Sequence, residues 1–159
     1  MRLLKFEGEN FVFRFEKIDK QILFCLLRRY PACSAPLTPE TMKEGEVIGP
    51  DLHLLEASLE EQRVGHRKQV EAILSDEGRF QEDELGYRFY LTEPQIDCLL
   101  QILNNISVGS WLQLGRPNPQ MGKGSQITEK NIELAWAMDS ARLFQSELLK
   151  ALRQKQEFQ

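Results

Sequence analysis

The 159 residues carry a formal charge of −4, with 28% charged and 42% hydrophobic side chains. That balance excludes global disorder, and the acidic sign excludes a surface that condenses onto phosphate backbones or anionic lipid by long-range attraction alone. At 18.5 kDa the chain buries roughly two-thirds of its unfolded surface, so one domain over 1–159 is expected, with a core that needs no disulfide or metal.

Leu3 to Phe6 and Phe11 to Phe15 flank the turn-forming Gly8-Glu9-Asn10, and Phe11, Phe13 and Phe15 alternate with Val12 and Arg14. The alternation predicts a hairpin with strands near 2–6 and 11–15. Ile18, Ile22, Leu23, Leu26, Leu27 and Tyr30 keep helical spacing, Arg28 and Arg29 close the run where the helix dipole favours cations, and Pro31 stops it. Residues 31–50 hold four prolines and two glycines, which predicts an irregular excursion across the surface. A long amphipathic helix follows from about Asp51 to Leu74, with Leu52, Leu55, Leu59, Val70, Ile73 and Leu74 inward and Gly65 as a bend. Asp76, Glu77, Glu82, Asp83 and Glu84 read as a solvated connection. Tyr87 to Leu91 alternates again and is expected to join the hairpin, since two strands alone are marginal in water.

The most informative segment runs from Pro94 to Gly115 with one formal charge, Asp97. Thr92-Glu93-Pro94-Gln95 is a capping-box pattern that starts a helix there. Leu99, Leu100, Leu103, Ile106, Trp111 and Leu114 follow the helical period on one side, and Cys98, Ile102, Val108 and Leu112 fall on the other. Both faces seek cover, from the chain or from a second copy. A last helix is expected after Thr128, whose hydroxyl can cap it, through Trp136, Phe144 and Leu152. The expected fold is mainly α (α+β): a four-helix core around a central helix at 93–114, with a small antiparallel sheet from strands near 2–6, 11–15 and 87–91.

Chemistry is sparser. The run from Gly115 to Gln126 has two cations, no acid and three glycines ahead of a helix N-terminus, so Arg116, Lys123, Ser125 and Thr128 form a candidate anion site. It is not a P-loop, because Gly124 rather than Ser or Thr follows Lys123. His53 and His66 lie 13 residues apart on one expected helix, too far to share a metal, and no calcium-loop or di-iron spacing occurs, so no metal or cofactor is expected. Cys25 sits among Leu23, Phe24, Leu26 and Leu27, where burial would blunt its thiol; Cys33, beside prolines, is the one thiol expected to react. Three cysteines without a paired spacing indicate a reducing compartment. The basic start meets Glu7 and Glu9 before an apolar stretch forms, which excludes a secretion signal, and Gln101, Asn104, Asn105 and Gln113 make 94–115 a poor membrane span. A soluble cytoplasmic protein is expected. No helix-turn-helix pair occurs, so nucleic acid is not the expected partner.

Leu55-Glu56-Ala57-Ser58-Leu59, Val70-Glu71-Ala72-Ile73-Leu74, Leu91-Thr92-Glu93-Pro94-Gln95-Ile96, Leu103-Asn104-Asn105-Ile106 and Leu134-Ala135-Trp136 through Leu152 form a further pattern. Over roughly 50–152, with the hairpin and first helix, it resembles an uncharacterised bacterial domain-of-unknown-function family whose genes often neighbour that of the Clp-protease adaptor. The resemblance implies a helical fold and carries over no catalytic residue. The stretches 31–50 and 115–126 depart from it. Some members bear a transcription-regulator label, which the missing helix-turn-helix and the acidic charge do not fit.

Two functional classes follow. The leading expectation is a non-enzymatic interaction module, an adaptor or regulator that binds a protein partner or self-associates through the central or last helix. Ile102, Trp111, Leu112, Trp136 and Phe144 are its candidate interface residues. The alternative is a small-molecule or anion-binding protein using the 115–128 loop.

Overall fold

Phenylalanines spaced by two residues set the sheet. In the computed structural model, which describes residues 1–32, 50–75, 78–115 and 128–157, β1 (Arg2–Glu7) and β2 (Asn10–Phe15) form the expected hairpin. β4 (Gly86–Thr92) joins β2 antiparallel, pairing Phe13 with Phe89 and Phe11 with Leu91. One strand was not expected: β3 (Phe80–Asp83) pairs with β4 and completes a four-stranded antiparallel sheet in the order β1-β2-β4-β3. The acidic stretch is therefore partly a hairpin arm. Phe80 stacks on Phe89 at 4.3 Å, and Asp83 accepts hydrogen bonds from Arg14, from Arg88 Nε at 3.0 Å and from the Leu85 amide at 3.0 Å. The Arg14 guanidinium, above all, holds the Asp83 carboxyl below its ordinary range.

Four helices lie among the described residues: α1 (Lys17–Leu27), α2 (Pro50–Leu74), α3 (Glu93–Gln113) and α4 (Ile132–Glu157). The fold is α+β and mainly helical, as expected. The capping box at the start of α3 is formed, with the Thr92 amide donating to Gln95 Oε1 at 2.9 Å. α3 packs against every other helix and against β4, and Ile96, Leu99, Ile102, Leu103 and Ile106 are all buried. α4 runs antiparallel along it: Lys155 reaches Glu93 at 2.7 Å, and Gln145 donates to the Leu100 carbonyl at 3.5 Å. Phe15, Phe89 and Phe144 join sheet to helices, with Phe15 at 5.0 Å from Phe89 and 5.9 Å from Phe144.

The chain leaving α1 is clamped across α3. The Ala32 amide donates to Asn105 Oδ1 at 3.0 Å, and its carbonyl accepts from Gln113 Nε2 at 2.9 Å. Gly109 lies between these two residues at a spacing of four, and its missing side chain admits the crossing. Asn105 and Gln113 are therefore backbone clasps as well as uncharged surface.

Candidate interaction cleft

Burial falls steadily toward the start of α2. Ile73 and Val70 are buried and His66 and Leu59 half-buried, whereas Leu55 is 47% and Leu54 70% exposed. The expected inward face exists, but only its C-terminal end finds the body. Leu55 is the clear correction: its position has the right phase, and the surface that would cover it ends before reaching it.

Between this half of α2 and the α3–α4 pair lies an open cleft of about 670 Å³. Leu59, Gln62, Arg63 and His66 form its wall; Gln101, Asn104, Val108 and Leu112 of α3, with Leu149 of α4, form its floor. Those α3 residues recur at spacings of three and four and make one stripe. The central helix thus keeps one open face, and that face is uncharged. Gln62 Nε2 donates to Gln101 Oε1 at 2.7 Å, tying α2 to α3 across the cleft. The Tyr30 hydroxyl meets His66 Nδ1 at 3.1 Å and joins the end of α1 to the same wall.

Desolvation sets the electrostatics. Burial raises the Tyr30 hydroxyl above its ordinary value against the opposing pull of Arg63 and Arg67, and burial lowers His66 against its bond to Gln101. Both groups are neutral near pH 7. Cys98 is half-buried, and burial pushes its thiol up as well, away from the reactive thiolate. Among the described residues no group of three or more His, Cys, Asp or Glu could hold a metal ion. Apolar side chains beside carboxamides make up most of the cleft lining, a surface suited to non-covalent contact.

The candidate residues scatter. Ile102 is fully buried and Phe144 nearly so, so both belong to the core and leave the interface set. α3 is packed on several sides, so Ile102 finds cover within the chain on the face opposite Leu99 and Leu103. Trp111 and Leu112 are half-buried, Leu112 lining the cleft, and Trp136 is 38% exposed on α4. Arg116, Lys123 and Ser125 lie outside the described residues, as does Cys33. Thr128 is exposed, and its carbonyl accepts the amides of Asn131 at 3.1 Å and Ile132 at 3.0 Å. Asn131 Oδ1 in turn accepts the Thr128 amide at 2.7 Å, closing a turn at 128–131 ahead of α4, which starts at Ile132. Cys25 is exposed rather than buried, because α1 turns Leu23, Leu26 and Leu27 inward and Cys25 away from them. His53 is solvated, 3.9 Å from Glu56. Gln62, Asn104 and Leu149 carried no signal in the sequence, since each matters only through a neighbour on another helix.

Compared with protein-family models, with curated proteins and with solved structures, the chain matches none.

Proposed function

We propose that this chain is a non-enzymatic interaction module of the adaptor or regulator type, working in the cytoplasm and receiving a protein partner in the α2–α3–α4 cleft. One observation carries the reading: Leu59, Val108 and Leu149 come from three different helices to one cleft, where Leu59 is half-buried and Val108 and Leu149 are each 44% exposed. Apolar side chains that converge on a concavity lose contact with water when a partner fills it, which is the driving force for association. The carboxamides of Gln101 and Asn104 offer donors and acceptors without charge, so they suit a peptide backbone or polar side chain of the partner. A nucleic acid is disfavoured here, because Arg63 already pairs with Glu60 at 3.3 Å and His66 is neutral. Among the described residues no helix is long and apolar enough to cross a membrane. The free thiols of Cys25 and Cys98 fit a reducing compartment.

Site-specific photo-crosslinking in living cells tests the reading. A crosslinker at Leu59 or Val108 is expected to trap a discrete adduct that one at the exposed Leu85 does not, and Leu149→Arg is expected to abolish it. Adducts at all three sites alike, or none at the cleft, would count against a partner there.

A further inference from the structure

Contact with the rest of the molecule ends partway along α2. From His53 to Glu61 every residue is exposed except the half-buried Leu59, whereas Val70 and Ile73 are buried. Among the described residues the stretch 53–64 makes a single side-chain hydrogen bond outside its own helix, from Gln62 to Gln101; the pairs His53–Glu56 and Glu60–Arg63 lie within it. The cleft wall is therefore a helical arm that little holds in place.

Gly65 stands where this arm ends, one residue before His66 meets Tyr30. α2 runs unbroken through it, with no positive φ and no atom within 4 Å of the place its Cβ would take. Neither a turn nor a close approach accounts for a glycine here. What glycine supplies is backbone freedom at an exposed point of the helix, where water can enter the hydrogen-bond ladder and let it kink.

We propose that Gly65 is a hinge about which 53–64 swings as the movable wall of the cleft. Leu59 and Gln62 ride on the arm, while Val108 and Leu112 stay with α3, which Ile102, Leu103 and Ile106 anchor in the core. A kink of about 20° moves Leu54, roughly 16 Å from the hinge along the axis, by about 6 Å. Such a swing gives up the Gln62 bond and the contacts of Leu59 and Arg63, and it leaves Val70 and Ile73 packed. A cleft with one movable wall closes on its occupant after entry, so its width follows the side chains it receives. That the swing serves binding rests on the interaction-module reading; the swing itself is measured on the free chain, so either can fail alone.

Double electron–electron resonance on the full chain tests the hinge, with spin labels carried on non-natural residues at the exposed positions Leu54, Lys68 and Ser146. The spread of distances from Leu54 to Ser146 is expected to exceed that from Lys68 to Ser146 by about 5 Å or more. Gly65→Ala should cut that excess by about half or more and raise the melting temperature, because alanine straightens and strengthens the helix. Amide exchange in the parent should show helical protection over 54–64, which separates a swinging arm from a melted one. Equal spreads from the two labels overturn the proposal. So does an excess that Gly65→Ala leaves unchanged, or an arm whose amides exchange as fast as those of an unstructured chain.

Discussion

Two glycines show how single positions hold distant segments together. A Cβ on Gly86 would meet the Phe15 carbonyl oxygen at 2.4 Å, and its φ of +126° lies in the region that side chains avoid. Gly86→Ala is therefore expected to lose about 1–3 kcal/mol, read from chemical denaturation. Gly109 is ordinary helix, but its Cβ would lie 2.8 Å from Ala32 Cβ and 3.1 Å from the Ala32 carbonyl carbon. Gly109→Ala must displace that crossing and strain the bonds to Asn105 and Gln113, a cost of about 1–3 kcal/mol where alanine would otherwise strengthen a helix. A stabilised Gly109→Ala variant would refute the clamp. Neither requirement was legible from sequence, because each glycine answers to a residue more than 60 positions away.

At the scale of elements, α2 is held at its C-terminal half and by the polar ties of His66 and Gln62. His66 has its folded pKa lowered chiefly by burial, so the unfolded chain takes up the proton more readily. Its contribution to stability is complete above the unfolded value of 6.5 and is lost as pH falls through it toward the folded pKa. Tyr30 and Gln101 bond the ring, and the Gln101 bond opposes part of the shift that burial causes. The urea midpoint is expected to fall between about pH 7.5 and pH 5.5, and His66→Gln should flatten that slope. Asp83, whose folded pKa is also lowered, gives stability that is lost only at more acidic pH, as its carboxylate protonates.

The elements also separate what sequence reveals from what it hides. Phe11, Phe13 and Phe15 announce their strand by alternation, and Thr92 with Gln95 announces α3, because these signals are local. β3 is hidden, since Phe80 is the one apolar residue in Phe80-Gln81-Glu82-Asp83 and the strand is held by Phe89 and by Arg14, 69 residues before Asp83. The phase of α2 is legible, but periodicity records which face seeks cover, not where the cover stops. The cleft follows from that stop.

For the whole molecule, apolar side chains divide into those that hold the fold and those left open to solvent, which on the proposed reading receive a partner. Ile102 is fully buried at the centre of α3, and Ile102→Ala is expected to cost about 2–5 kcal/mol through lost packing and the cavity left behind. Val108 and Leu149, which line the cleft, are each close to half exposed, and removing their side chains takes little from the folded state. On the proposed reading, these cleft residues serve binding rather than stability. Equilibrium urea unfolding of the double variant Val108→Ala/Leu149→Ala, beside Ile102→Ala, tests this division most directly. The expected result is a double variant within about 1 kcal/mol of the parent while Ile102→Ala falls by about 2 kcal/mol or more. A double variant as unstable as Ile102→Ala would make the cleft part of the core and contradict the account.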